Sequence, residues 1–146
     1  MRIKPLGLLF ALPLVALSFA AMAQAPSPIG RWKTFDDATG KAMSVTEVYL
    51  TKNGGIAAKV VETLNTPNAT CGKCSGAQKN KPIIGMMVFW NVKNTEDGWG
   101  GGQGFKPSTG DSFRVKSVKL MDGGNKLEIT GCKLVFCRSA NWVRVN

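Results

Sequence analysis

Apolar and polar residues alternate with a period of two, broken at short intervals by turn residues, and this pattern constrains the fold most strongly. Such alternation places every second side chain of an extended strand on one face, where it can be buried. Asn53-Gly54, between two runs rich in β-branched residues, is typical of a hairpin turn. After residue 24, no segment shows the sustained helical periodicity that a βαβ fold requires. The sequence therefore predicts an all-β protein.

The predicted strands follow one another with only short connections for most of the chain. They cover residues 30–36, 44–50, 56–64, 83–93, 99–107, 112–121, 126–134 and 136–145. Strands that are neighbours in sequence are expected to pair antiparallel, and such a meander removes its exposed edges by closing on itself. We therefore expect an eight-stranded antiparallel up-and-down β-barrel, whose interior holds either side chains or one small ligand.

Residues 1–23 have the three parts of a secretory signal peptide. Basic residues precede an apolar run over residues 6–20, and a small-x-small sequence ends at Ala23. We expect cleavage there, which leaves residues 24–146 as a single domain in the periplasm or outside the cell. Those residues contain no second apolar run of transmembrane length.

The chain is strongly basic, with a formal net charge of +10 that falls to +8 when Arg2 and Lys4 leave with the signal peptide. For an exported protein, this charge favours an anionic component of the cell envelope as a partner rather than nucleic acid. The basic residues are scattered and form no block. A second interpretation is therefore that they only keep a small protein soluble.

Histidine is absent from the sequence, which excludes Ser-His-Asp and Cys-His catalysis and every zinc site that needs an imidazole. Glu47 and Glu62 are the candidate carboxylate pair within the strand-like runs, and strand carboxylates usually face solvent. A glycosidase-like carboxylate pair is therefore not expected. We expect no catalytic residues, no cofactor and no metal site.

The four cysteines allow three disulfide pairings in an oxidising compartment. We favour Cys71 with Cys74 and Cys132 with Cys137, because both pairs are close in sequence and the second flanks a hairpin connection. A redox role for Cys71-Gly-Lys-Cys74 would need a helix N-terminus that stabilises a thiolate, and the residues that follow predict no helix. Zinc held by four thiolates would need a shorter spacing between the two pairs.

Gly30-x-Trp32 opens the first predicted strand, and Arg144 lies near the end of the last. This arrangement resembles that of lipocalins and the wider calycin group, in which the tryptophan closes one end of the barrel beneath an arginine. A guanidinium group suits an indole face because cation and ring attract each other. The resemblance implies that Gly30, Trp32 and Arg144 close one end of the barrel, with Arg138 as the alternative arginine over Trp32. The alternative is that Trp32 is an ordinary core residue.

A larger part of the chain resembles DUF2147, a bacterial family of secreted proteins. The matching stretches are GRWKTFDDATGK, CGKC, NKPIIGMMVFW, KPSTGDSF and FCRSANWVRV. The resemblance implies a calycin-like barrel outside the cytoplasm, and it implies no activity. Lys106 stands where the family usually has an aspartate before Pro-x-x-Gly, so a role tied to that acid does not carry over.

The leading functional hypothesis is a binding barrel that holds a small apolar or amphipathic molecule, with an anionic head group favoured by the charge. The candidate ligand-binding residues are Met86, Phe89, Trp90, Trp99, Phe105, Arg138 and Trp142. Methionine adapts its shape to a ligand, and tryptophan can stack on one. The alternatives are that these residues fill a solid core and that the protein is a structural or interaction component of the envelope. A cavity of about 300 to 1,000 Å³ would favour the binding barrel.

Overall fold

The computed structural model describes residues 25–146, so the predicted signal peptide lies outside the described residues. Strands account for most of this part of the chain. They are β1 (Gly30–Phe35), β2 (Ala42–Leu50), β3 (Ile56–Thr63), β4 (Met87–Thr95), β5 (Gly98–Gly100), β6 (Gly102–Lys106), β7 (Asp111–Met121), β8 (Lys126–Lys133) and β9 (Phe136–Arg144). Two single-turn 3₁₀ helices, Gly76–Gln78 and Asp122–Gly124, are the only helices between residues 25 and 146. Neither has the length or hydropathy of a membrane-spanning helix.

The strands form one closed antiparallel sheet. β1 pairs with β9 through Trp32 opposite Arg144, and β3 pairs with β4, so the meander has no free edge. β5 and β6 both pair with β4 and β7, on either side of Gly101, whose φ of 79° turns the chain. These two short strands are therefore halves of one broken strand. The predicted eight-stranded up-and-down barrel is confirmed, with a break that the sequence did not predict.

The turns fall into two groups at opposite ends of the barrel, because consecutive strands run in opposite directions. The closed end is formed by residues 25–29, 51–55, 96–97 and 122–125. The open end is formed by residues 36–41, 64–86, 107–110 and 134–135. At the closed end, the predicted Asn53-Gly54 turn joins β2 to β3, with Gly54 at a φ of 77°.

Large apolar side chains fill the closed half of the barrel. The buried members of this core are Trp32, Val48, Ile56, Ala58, Phe89, Val92, Val115, Val118, Leu127, Ile129 and Trp142. Phe89 and Trp142 stack near the middle of the barrel, with ring centroids 6.0 Å apart. Each fully buried side chain of this size contributes about 1.5 to 3 kcal/mol to folding. The closed half is therefore the main source of stability.

Arg144 closes this end over Trp32, which is fully buried. The guanidinium carbon lies 4.2 Å from the centroid of the indole ring. The same guanidinium group donates hydrogen bonds to the carbonyl oxygens of Gly124 at 2.8 Å, Ile29 at 3.2 Å and Ser27 at 2.6 Å. It therefore ties the N-terminal segment and the β7–β8 turn to the end of the barrel.

Gly30 allows the guanidinium group of Arg144 to lie close to the start of β1. Its φ is 136°, a conformation that side chains disfavour, and a Cβ atom at this position would lie 2.9 Å from a terminal nitrogen of Arg144. The indole nitrogen of Trp32 is also satisfied, since it donates to the carbonyl oxygen of Pro28 at 2.8 Å. In the Gly-x-Trp sequence, the glycine therefore leaves room for Arg144, and the tryptophan is the ring on which Arg144 stacks.

Candidate functional site

A cavity of about 940 Å³ opens between the loops of the open end and reaches down to the core. Its deeper walls are apolar. They include Val60, Val88, Phe113, Ile129, Ala140 and Trp142, contributed by five different strands. This volume lies within the range of about 300 to 1,000 Å³ that is usual for small-molecule sites.

The cavity exists because inward-facing residues become small toward the open end. Trp32 is followed on the inner face of β1 by Thr34, which hydrogen-bonds through its hydroxyl to Ser44 at 2.7 Å. Along β8 the inner face passes from Leu127 through Ile129 to Gly131. The small side chains leave the upper half of the barrel unfilled.

Phe113 shapes one wall of the cavity by lying across neighbouring strands. A Cβ atom on Gly104 would come within 2.2 Å of the Phe113 ring, and one on Gly131 within 2.5 Å. Gly104 pairs with Phe113 across β6 and β7, and Gly131 lies on the next strand, β8. The two glycines therefore provide the space in which the ring packs against the sheet rather than projecting into the cavity.

Charged residues surround the mouth, and most of them are paired. Lys106 forms an ion pair with Asp37. Lys133 forms one with Asp111 at 3.0 Å, which links the end of β8 to the start of β7. Both pairs are largely exposed, so each adds little to stability. They neutralise two of the basic residues that line the mouth.

Two carboxyl groups at the mouth are held in the ionised form. Hydrogen bonds from the backbone and the hydroxyl of Thr39 lower the pKa of Asp36 below its usual value. A hydrogen bond from the Lys133 amine lowers the pKa of Asp111 in the same way. The acidic groups of the mouth are therefore already engaged with donors of the protein itself.

Lys41 and Arg138 also line the cavity, but neither has an ion-pair partner within residues 25–146. Arg138 pairs with Gly131 in the β8–β9 ladder, so it projects from the inner face of the sheet toward the mouth. A planar guanidinium group above an apolar wall is suited to a carboxylate or phosphate oxygen. Among the described residues, these two are the cavity-lining cations without a carboxylate partner.

The loop of residues 64–86 forms part of the cavity wall and has a small core of its own. The disulfide between Cys71 and Cys74 is buried with Met86, and Ile83 and Phe105 pack against it. Backbone hydrogen bonds add to this core, including Ile83 to Ala69 at 2.9 Å. The Cys-x-x-Cys pair thus fixes a long loop on the barrel, and both cysteines are buried away from attacking thiols.

The second disulfide joins Cys132 to Cys137 next to the turn of the β8–β9 hairpin. These residues are direct partners in the β8–β9 ladder. Cys132 is buried, whereas Cys137 is exposed. All four cysteines of the chain are therefore in local disulfides, and none is left as a free thiol.

The candidate ligand-binding residues lie in three places. Phe105, Arg138 and Trp142 line the cavity. Phe89 and Trp99 pack in or against the core of the closed half. Met86 and Trp90 line a second depression of about 500 Å³ on the outer wall, which Phe105 also borders.

Bulges in β4 interrupt the alternation of inward and outward side chains along this apolar segment. Ala58 lies opposite Phe89 and Ile56 opposite Val92, so two residues of β3 span three of β4. Asn91 lies in this bulge with a φ of 55°. Simple alternation along β4 therefore misplaces its side chains.

Several cavity residues were missed by sequence reasoning, notably Val60, Phe113 and Ile129. The pairing register of the β8–β9 hairpin is a sequence signal that could have identified such residues. The short β8–β9 connection places Ile129 opposite Ala140, which shares one face of the last strand with Arg138 and Trp142 by the period of two. Extending this register across the sheet would have identified the apolar wall.

A closed antiparallel barrel with one covered end and one open cavity defines a lipocalin-like fold. The structure of protein HP1028 from the human pathogen Helicobacter pylori, described as belonging to the lipocalin family, is similar with a TM-score of 0.68. The match covers 83% of this chain and 84% of that chain at 17% sequence identity, so it shows the shared fold. The family model of DUF2147, described as an uncharacterized protein conserved in bacteria, matches residues 30–144. The chain therefore belongs to the DUF2147 family. No protein with a curated description matches it in sequence.

Proposed function

We propose that the protein binds a small amphipathic molecule, with the apolar part in the barrel and an anionic head group at the mouth. The observation that carries this proposal is the cavity of about 940 Å³ with an apolar floor and unpaired cations at its rim. A filled barrel would have favoured the structural role considered from the sequence. Burial of an alkyl chain against this floor would contribute about 0.8 kcal/mol for each methylene group.

The head group would meet Arg138 and Lys41. The other basic residues at the mouth, Lys106 and Lys133, already have carboxylate partners. An anionic ligand therefore gains a partner at Arg138 or Lys41 without breaking an existing ion pair. A cationic head group would find Asp36 and Asp111 already engaged by hydrogen bonds.

We also propose that the protein functions in the periplasm or outside the cell. Two disulfides support this location, since such bonds persist in oxidising compartments. The N-terminal residues have the pattern of a cleaved signal peptide. N-terminal sequencing of the exported protein should begin near Gln24, and an exported form that retains Met1 would contradict this prediction.

The binding proposal is tested with a matched pair of probes, dodecanoate and dodecanol, which share an alkyl chain and differ in charge. Titration calorimetry should show saturable binding of both, with dodecanoate tighter. Replacement of Arg138 and Lys41 together by glutamine should weaken dodecanoate by about tenfold and leave dodecanol unchanged. Arg114→Gln is the matched control, because Arg114 is exposed in the same half of the barrel and does not line the cavity.

A second variant tests the cavity itself. Ala140→Phe places a ring in the apolar wall between Trp142 and Arg138, and it should abolish binding of both probes by occupying the space. The absence of saturable binding by the unmodified protein would reject the proposal. Equal loss of dodecanoate binding in Arg114→Gln would reject the assignment of the head-group site.

A further inference from the structure

The tip of the β8–β9 hairpin is an exposed apolar projection beside the mouth of the cavity. Leu134 is 88% exposed, Val135 is 86% exposed and Phe136 is 77% exposed, and the three are consecutive. They are the most exposed large apolar residues within residues 25–146. Three adjacent side chains of this kind are unusual on a soluble surface, where exposed apolar residues are normally scattered.

The turn itself is built against local preference. Leu134 has a φ of 56°, in the left-handed region where two-residue hairpin turns normally have asparagine or glycine. A bulky residue rarely adopts this conformation. Polar or small residues would suit this turn better, so the turn does not itself require apolar side chains at the tip. Backbone strain of this kind is found most often at functional sites.

The disulfide between Cys132 and Cys137 cross-links the two strands directly below the tip. This bond holds the hairpin closed although its turn is unfavourable. The tip is therefore a firm projection, and it is convex.

The tip is too small for a stable protein interface, because the surface area of three side chains falls far below the roughly 800 Å² per partner that such an interface buries. A lipid bilayer needs no complementary groove and accepts such an apex directly.

Charge at the same end favours an anionic bilayer. Basic residues at the open end are Lys41, Lys73, Lys79, Lys81, Lys106, Arg114, Lys133 and Arg138, whereas the acidic ones are Asp36, Asp37, Glu62 and Asp111. Lys133 and Arg138 flank the tip itself. Basic side chains beside an inserted apolar apex would contact phospholipid head groups, each adding attraction near the surface.

We propose that Leu134, Val135 and Phe136 insert into the surface of an anionic phospholipid bilayer. This contact places the mouth of the cavity against the membrane, since Leu134 and Phe136 also line the cavity. It goes beyond the binding function proposed above and does not depend on what the cavity holds. An interfacial contact of this size is reversible, because it combines a small apolar area with electrostatic attraction.

The decisive variant combines Leu134→Asn with Val135→Gly. Asn tolerates the left-handed φ of residue 134 better than Leu, and Gly accepts any φ at residue 135, so this variant should keep the hairpin while losing two of the three apolar side chains of the tip. Leu50→Asn is the matched control, since Leu50 is 62% exposed at the closed end of the barrel. Thermal unfolding of each variant establishes that any loss of binding is not a loss of folding.

Binding is measured by flotation with vesicles of phosphatidylcholine alone or mixed with phosphatidylglycerol. The unmodified protein should float with the mixed vesicles, less with phosphatidylcholine alone, and less at high salt. The Asn-Gly variant should lower the partition coefficient by about tenfold or more, whereas Leu50→Asn and Ala140→Phe should leave it unchanged. Flotation of the Ala140→Phe variant with the vesicles would show that membrane binding does not depend on an open cavity.

Three outcomes would overturn the proposal. The first is that the unmodified protein does not float with mixed vesicles. The second is equal loss of flotation in the Leu50→Asn control. The third is that the unmodified protein is a dimer in solution that the Asn-Gly variant converts to a monomer, because the tip would then contact a second copy of the chain.

Discussion

The two ends of the barrel use the same alternating strands in opposite ways. At the closed end, the guanidinium group of Arg144 has three carbonyl acceptors and the Trp32 indole has its own. At the open end, Arg138 has no ion-pair partner within the described residues, and Phe136 is largely exposed. The sheet closes although only one of its halves is tightly packed. The other half can therefore carry small side chains and unsatisfied groups without loss of the fold.

The largest expected effect is the removal of the closed-end tryptophan. Trp32→Ala should lower the free energy of unfolding by roughly 3 to 5 kcal/mol, because it removes a fully buried ring and the surface on which Arg144 stacks. Phe136→Ala at the open end should change it by less than about 0.5 kcal/mol. Urea unfolding measures both. Similar losses for the two variants would contradict the comparison between the ends.

The two disulfides should respond differently to reductant. Cys71 and Cys74 are both buried, whereas Cys137 is exposed, so a reductant reaches the hairpin disulfide in the folded protein. Mass spectrometry after alkylation should show the Cys132–Cys137 bond reduced at least about tenfold faster. Loss of either bond should cost on the order of 2 to 3 kcal/mol and leave the barrel folded at room temperature. Faster reduction at Cys71 would favour the redox alternative.

Thr46 lies where the packed half meets the cavity, and its substitution should stabilise the protein. Its side-chain oxygen is buried and has no hydrogen-bond partner, unlike other buried side-chain polar atoms of residues 25–146. Thr46→Val replaces the hydroxyl with a methyl group of similar size and should raise the free energy of unfolding by about 1 kcal/mol. Chemical denaturation measures this change. A loss of stability would show that the hydroxyl has a partner in solution.

The smallest expected effect is a pH dependence at the open end. Because Lys133 lowers the pKa of Asp111, the contribution of this carboxylate is complete above its unfolded-state pKa and is lost as pH falls through the lowered folded-state value. Thermal midpoints measured below about pH 4 should therefore fall more for the unmodified protein than for Asp111→Asn. The pair is exposed, so the difference should be small and should shrink with added salt. Identical acid slopes would exclude this contribution.

The strand order could be predicted from sequence because turn residues and alternation act locally. Asn53-Gly54 and the short connection after Lys133 set hairpins whose partners are neighbours in the chain. The break at Gly101 could not be predicted, since a glycine-rich stretch permits both a continuous strand and a kink. Strand existence therefore follows from local chemistry, whereas strand continuity depends on the neighbouring strands.

The candidate site was only partly accessible from sequence. Arg138 and Trp142 were found because β9 is regular and its period-two face is simple to follow. Met86 and Trp90 were grouped with them because they belong to the same apolar segment, but they line the outer depression, and bulges in β4 interrupt the alternation on both sides of Phe89. A bulge depends on pairing with another strand, so alternation within one strand does not reveal it.

The pairing of Trp32 with Arg144 joins the first strand to the last, which has a consequence for the order of folding. Hairpins between consecutive strands form with little loss of chain entropy, whereas this contact must close nearly the whole described chain into a ring. A chain that lacks β9 would leave the edges of β1 and β8 unpaired, and such edges promote aggregation. We therefore expect β1 and β9 to join late in folding, in the step that converts an open sheet with two exposed edges into a closed barrel.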